Sequence, residues 1–241
     1  MDTLPYAYPC ENRLAAVMNS RTVQKLLEAL ADKYCSQQQE LLSVNAQAVT
    51  PTSYPRLYAI VEQCKSRLGI SEQLQVYVTA QLTGINALSV GSDKTPMVLL
   101  STKAAAILPE EELQFMVGHE LGHIAQGNLA CHSVKGVLDL MKFQDKWSGY
   151  FIYEWLEVAL NKWHRAAEFT ADRAGLICCG KVEIAKAMLL RMTNSEHVNH
   201  YNSALSELYK DHPTVEHRIK ELEWFAPHST SFTAVMAESK N

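Results

Sequence analysis

No window of this sequence approaches the 18 or more uninterrupted apolar residues that a membrane-spanning helix needs. The first residues, Met1-Asp2-Thr3-Leu4-Pro5-Tyr6, hold neither a basic stretch nor an apolar run, so no secretory signal is visible and a cytoplasmic location is expected. A basic excess is missing too. The 22 Lys and Arg stand against 26 Asp and Glu, a net charge of −4, which leaves no electrostatic footprint for nucleic acid. Six cysteines, at 10, 35, 64, 131, 178 and 179, form no C-x-x-C pair and no metal-knuckle spacing. They read as small buried hydrophobes with free thiols, which suits a reducing compartment. Repeats and low-complexity tracts are absent. What remains, 241 residues of which 47% are hydrophobic and 20% charged, is an ordinary soluble globular composition able to bury a good core.

Residues 11–35 carry Leu14, Val17, Met18, Leu26, Leu27 and Leu30 at helical spacing, so residues 1–40 are expected to form a helical segment packed on the rest of the chain. Over residues 41–50, Leu42, Val44, Ala46 and Ala48 alternate with polar neighbours, the period of a strand. Pro51-Thr52-Ser53-Tyr54-Pro55 is turn chemistry, and the helix that follows to Leu68 is ended by Gly69. Strands are expected at 74–78, 85–90 and 97–101, the last two as a hairpin around a loop at 92–96. Everything after Thr102 reads as helical, so the layout is α+β with a predominantly helical C-terminal half. Residues 138–163 are the most aromatic stretch, with Phe143, Trp147, Tyr150, Phe151, Tyr153, Trp155 and Trp163. Their polar face lacks the lysine and arginine of a membrane-surface helix. A packed helix pair, or a contact between copies of the chain, is the preferred reading, with peripheral membrane contact as the alternative. Residues 226–241 are polar and small and are expected to fray.

The chemistry begins at His119-Glu120-Leu121-Gly122-His123. This run follows Leu108-Pro109-Glu110-Glu111-Glu112 and stops at Gly127-Asn128, the punctuation of one amphipathic helix with acids in its first turn. Residues four apart share a helix face, with Cβ atoms roughly 5–6 Å apart. His119 and His123 can therefore reach one metal ion. Glu120, turned roughly 100° from His119, can hold a metal-bound water instead of the metal. With nine histidines in the chain, shuffling would produce His-Glu-x-x-His in roughly one chain in forty.

Catalytic zinc takes three protein ligands and keeps one open position. Downstream, Glu168 and Asp172 lie one turn apart within Arg165-Ala166-Ala167-Glu168-Phe169-Thr170-Ala171-Asp172-Arg173-Ala174-Gly175. Alanines and a phenylalanine around two acids argue for a partly buried face, where unpaired carboxylates would be costly. Glu168 could complete a His2Glu site. Asp172 could accept a hydrogen bond from the outer nitrogen of a ligating histidine and so fix its tautomer.

Taken in order, His119-Glu120-x-x-His123 and Glu168-x-x-x-Asp172, with Asn86-Ala87 ahead of them and Asp211-His212-Pro213-Thr214 and Arg218 behind, resemble the gluzincin metallopeptidases of the HtpX and CAAX-prenyl-protease type. The Glu-Glu-Leu at 111–113 and the Ala-Asp-Arg-x-Gly at 171–175 also match, and the likeness runs over residues 44–225. The resemblance implies a zincin-like fold in residues 41–225, a small twisted and mostly antiparallel sheet over an active-site helix. It also implies that substrate lies antiparallel to an edge strand, with Asn86 and Ala87 as candidates for that edge. Read from its neighbours alone, His212 is a surface histidine before a helix opened by Pro213. By resemblance, His212 and Arg218 line the site and act on the oxyanion. Many members of that family carry spanning helices that are not found here, so only the chemistry transfers, not the client.

The expectation is a zinc endopeptidase of intracellular proteins or peptides, with one Zn2+ per chain on His119, His123 and Glu168. Glu120 is the general base, and His212 with Arg218 stabilises the oxyanion. Two rivals stand beside it. One is a latent peptidase whose site is occluded, with His228 or the aromatic segment as the candidate plug. The other is a non-catalytic, zinc-stabilised protein-binding module. The histidines at 132, 164, 197, 200, 217 and 228 have no ligand spacing and read as solvated or core residues.

Overall fold

A computed structural model describes residues 4–9, 25, 44–71, 73–92, 95–127, 129, 150–196, 213–230 and 232–233. Strand β1 (Gln47–Ala48) leads into helix α1 (Pro55–Leu68), then β2 (Gln75–Thr79), β3 (Ala87–Ser92) and β4 (Thr95–Ser101). Five helices follow: α2 (Thr102–Ile107), α3 (Glu110–Ala125), α4 (Tyr150–Cys179), α5 (Val182–Glu196) and α6 (Val215–His228). The α+β layout, strands first and helices after, is the one expected. Most of the segment at 1–40, the aromatic residues Phe143 and Trp147, and His212 lie outside the described residues.

Helix α1 starts where Pro55 supplies a fixed φ and ends at Gly69, whose φ of 69° lets its N–H and that of Ile70 return to the Ser66 and Lys65 carbonyls. Its buried face is Leu57, Ile60, Val61, Cys64 and Leu68. Of the expected strand at 41–50, residues 41–43 lie outside the described residues and the strand present is Gln47–Ala48; the expected loop at 92–96 contracts because β3 runs to Ser92 and β4 starts at Thr95.

The strand order is β1-β2-β4-β3. The pairs β1–β2 and β3–β4 are antiparallel, but β2 and β4 run parallel, so the sheet is mixed. The hairpin folds back so that β4 enters between β2 and β3, which leaves β3 at the edge. Alternation then sorts β4 between two clusters. Val98 and Leu100 face the main core, while Met97 and Leu99 pack with Leu82 and Val90 on the other side. A strand covered on both faces explains the unbroken apolar run Met97-Val98-Leu99-Leu100.

Helix α3 is the centre of the molecule. Every residue from 112 to 123 is buried, so the helix is enclosed on all sides instead of presenting the polar face its sequence suggested. Pro109 occupies the cap position, and Glu110, Glu111 and Glu112 fill the first turn as expected. Sheet residues Val76, Val78, Val98 and Leu100 share the core with Leu113, Met116, Val117 and Leu121 of α3 and with Ala174, Leu176, Ile177 and Cys178 of α4. Cys64, Cys178 and Cys179 are buried free thiols. Helix α6 continues beyond the expected boundary at 225 to His228, because Phe225 and Ala226 are buried against the core.

The contact between α3 and α4 has almost no room. A Cβ on Gly122 would lie 2.8 Å from both Ala171 Cα and Ala174 Cβ, and one on Gly118 would lie 2.6 Å from Cys178 Cβ. On the facing helix, a Cβ on Gly175 would meet the Phe115 carbonyl oxygen at 2.8 Å. The backbones meet where side chains are smallest, and that closeness brings residues 119, 123 and 168 within reach of one another. Gly122→Val is expected to lower stability by about 1–3 kcal/mol through overpacking. An unchanged denaturation midpoint would contradict the close helix contact.

Candidate metal centre

Helix periodicity puts His119 and His123 on the side of α3 that faces α4, and the glycine contact brings α4 close enough to present Glu168 between them. His119 Nε2 and His123 Nε2 are 3.2 Å apart. Glu168 Oε1 lies 3.2 Å from His123 Nε2, and its Oε2 lies 3.7 Å from His119 Nε2. One ligand atom from each residue falls within a 4.8 Å span. Two ligands bound tetrahedrally at 2.0–2.1 Å lie roughly 3.3–3.4 Å from each other, so these separations fit a shared ion. Among the described residues this is the one group of three or more His, Cys, Asp or Glu side chains so placed.

Asp172 and Arg218 surround that trio. Asp172 Oδ1 is 3.1 Å from His119 Nδ1. With the carboxylate accepting, His119 carries its proton on Nδ1 and turns the Nε2 lone pair towards His123 and Glu168. Arg218 on α6 donates from Nε to Asp172 Oδ2 at 2.7 Å and from Nη2 to Oδ1 at 2.6 Å, the paired fork geometry that guanidinium and carboxylate share. The same Nη2 lies 3.5 Å from Glu168 Oε2.

Burial and charge oppose each other here. Burial alone would lift the Asp172 carboxyl, but the Arg218 guanidinium, by charge and hydrogen bond, and then His119 hold it below the usual carboxylate range. Burial alone would depress His119, yet the Asp172 hydrogen bond and the Glu168 and Asp172 charges keep it above the ordinary histidine range. Glu168 and Asp172 are each 1% exposed. Two buried carboxylates face one guanidinium, so with both imidazoles neutral the trio and its partners keep an excess negative charge. That donor set, two imidazoles and a carboxylate, suits a divalent cation.

Glu120 is buried on α3 beside His119. Asn86 precedes β3, the edge strand, and its backbone is tied to Ser101 by Asn86 N–H to Ser101 Oγ at 3.3 Å and Ser101 N–H to Asn86 O at 2.9 Å. Ala87 is buried opposite Leu100 in β4. His228 is exposed, stacks on Trp224 and donates from Nδ1 to the Trp224 carbonyl at 2.6 Å, so it is not part of the converging group.

Two features escaped the sequence reading. The pairing of Arg218 with Asp172 joins residues 46 positions apart, and neither shows periodicity towards the other. The small-residue contact left a trace, Gly118-x-x-x-Gly122 against Ala171-x-x-x-Gly175, that marks close helix packing.

The fold and this centre define a helix-rich α+β protein with a buried His-His-carboxylate group, on two packed helices, that can hold one metal ion. The model of Peptidase family M48 matches residues 51–225, and the chain belongs to that family. It is 30% identical over 101 residues to the plastoglobule-localized metallopeptidase 48 of Arabidopsis thaliana, across 42% of this chain and 29% of the relative. It is 28% identical over 111 residues to a protease HtpX homolog of Methanothermobacter thermautotrophicus, across 46% and 42% of the two chains. With the HtpX homolog of Thermococcus kodakarensis it shares 24% identity over 222 residues, across 74% and 76%. The chain thus spans less than half the length of the first two relatives. The crystal structure of S. mikatae Ste24p overlays with a TM-score of 0.43 at 12% identity, covering 90% of this chain and 67% of that one, too loose a likeness to argue from. Among the described residues no helix is long and apolar enough to cross a membrane.

Arg218→Leu strands the Asp172 carboxylate in the interior and is expected to cost about 3–5 kcal/mol. Asp172→Asn in that background should recover part of the loss, because the stranded charge is removed. Chemical denaturation of the two variants measures it, and a larger loss in the double variant would argue against the pairing.

Proposed function

We propose that the protein is a zinc-dependent endopeptidase acting on peptide bonds of intracellular proteins or peptides, with one Zn2+ per chain. The observation that carries this reading is the convergence of His119, His123 and Glu168 with a glutamate, Glu120, next to the first ligand on the same helix. His119, His123 and Glu168 would hold the ion, which when bound supplies Lewis-acid polarisation and a water acidic enough to lose its proton near neutral pH.

The chain's own residues do the rest. Glu120 takes the proton of the attacking water and delivers it to the leaving amine. In the neutral imidazole, Asp172 keeps the His119 proton on Nδ1, which leaves the Nε2 lone pair for the ion. Arg218 has Nε and Nη2 committed to Asp172, so its contribution to the oxyanion is positive charge projected from behind Glu168 and Asp172. His212 is assigned the direct hydrogen bond to that oxygen. Substrate backbone pairs along β3, with Asn86 and Ala87 at its start; main-chain pairing there leaves sequence preference to side-chain pockets. The buried free thiols Cys64, Cys178 and Cys179 support a reducing, intracellular setting.

A latent form of the same enzyme is a second reading, favoured by one observation: His119, Glu120, His123 and Glu168 are all buried. Opening would then have to precede turnover. Wild type and Glu120→Gln, compared for zinc content and for cleavage of casein or a quenched peptide, separate these readings. One zinc in each with turnover lowered by roughly 10²–10⁴-fold in the variant is the expected result. Zinc in both with no cleavage by either would favour the latent form, and an absence of stoichiometric zinc would overturn the proposal.

A further inference from the structure

Segment 4–9 is tied into the fold far more tightly than its sequence suggests. Its backbone turns at Pro5-Tyr6, with Ala7 N–H on the Leu4 carbonyl at 2.9 Å. Tyr6 is 3% exposed and belongs to the main core. Among the described residues, the segment's hydrogen bonds to other segments go to the stretch of α4 that carries Glu168 and Asp172. Tyr8 N–H donates to Thr170 Oγ1 at 3.0 Å, and Arg173 Nη1 donates to the Ala7 carbonyl at 2.9 Å and the Tyr6 carbonyl at 3.4 Å. The Tyr8 ring lies 4.7 Å from the Phe169 ring.

Arg173 carries the contact on to α6. Its guanidinium lies 5.0 Å from the Tyr8 ring centre and 4.7 Å from that of Phe225, a cation between two aromatic faces. Its Nη2 is 3.8 Å from Glu221 Oε2. Phe169 in turn meets His217 edge-on at 4.9 Å. So segment 4–9 grips α4 at 169, 170 and 173, and through Arg173 it grips α6 at 221 and 225. Those same two helices must stay in register for Arg218 to reach Asp172. A fork at 2.6–2.7 Å does not survive a slip of about an ångström.

We propose that segment 4–9 is a positioning element of the metal centre, an intramolecular peptide whose seat on Thr170, Arg173 and Phe169 holds α4 and α6 in the register that the Asp172–Arg218 pair and hence His119 require. This rests on the reading of His119, His123 and Glu168 as metal ligands. The chemistry of the seat selects its occupant: a short turned segment with two adjacent carbonyls for one guanidinium, one N–H for a threonine hydroxyl, and an aromatic ring for the cation face.

The test compares the full chain with a chain lacking residues 1–9, reading zinc retention against a competing chelator together with kcat and KM. The truncated chain should hold zinc about tenfold or more weakly, the usual range for losing support behind a metal ligand. A synthetic peptide of sequence Leu-Pro-Tyr-Ala-Tyr-Pro, added at millimolar concentration, should restore part of the loss. Full-length Tyr8→Ala and Tyr8→Phe carry the same test should the truncated chain fail to fold. Phenylalanine keeps the ring and should retain zinc like wild type, whereas alanine should not. Unchanged zinc retention in the truncated chain or in Tyr8→Ala overturns the inference while leaving the metal site intact. A full chain that binds no zinc would overturn the site itself and the inference with it.

Discussion

The close contact of α3 with α4 is the constraint on which the rest of the structure depends. The approach of His119 and His123 on one helix to Glu168 on the other needs the two backbones close together. Gly118 and Gly122 on one side and Ala171 and Gly175 on the other remove the side chains that would hold the helices apart. Glycine in a helix interior costs about 1 kcal/mol relative to alanine, so two in five residues of α3 are a local weakness offset only by tertiary packing. The enclosure of α3 by α1, α4 and the sheet is what offsets it, and it also keeps water away from the centre.

Exclusion of water then sets the electrostatic problem. Two carboxylates in the interior repel each other and lose their hydration, which no apolar packing can replace. Arg218 answers part of this, with both of its short hydrogen bonds on Asp172 and its flank towards Glu168. The negative charge left over marks where a cation belongs. The arrangement is a chain of orientation: Arg218 aligns Asp172, Asp172 aligns His119, and His119 with His123 and Glu168 faces the position an ion would occupy. Membership of Peptidase family M48 agrees with that chemistry.

The outer parts of the fold are set by the same long-range packing. The hairpin inserts β4 into the sheet and so leaves β3, with Asn86 at its entry, on the edge beside α3. Segment 4–9 packs on α4 at Thr170 and Arg173. Both features arise from which segment packs where, and neither follows from the local sequence that forms them.

Much of this was readable from residue order alone, for definite physical reasons. Helix punctuation at Pro55 and Gly69 acts within one turn, so α1 was located to the residue. The i, i+4 spacing of His119 and His123, and of Glu168 and Asp172, is a property of any α-helix, so both pairs could be assigned to shared faces before the helices were placed. Where the reading stopped is equally physical. Strand order depends on non-local pairing, so a mostly antiparallel sheet was foreseen, as two of its three pairings are, but the parallel entry of β4 beside β2 was not. The amphipathic pattern of α3 could not reveal enclosure on every side, since burial of Glu112, Gln114, His119, Glu120 and His123 is decided by neighbours distant in sequence. The sequence by itself determined the bounds of α1 and which side chains share a helix face, His119 with His123 and Glu168 with Asp172. Only the tertiary structure decided that α4 meets α3 at its glycines, that Arg218 neutralises Asp172, and that segment 4–9 lies behind them, because those contacts join residues 46 to 167 positions apart and no local periodicity encodes a partner at that distance.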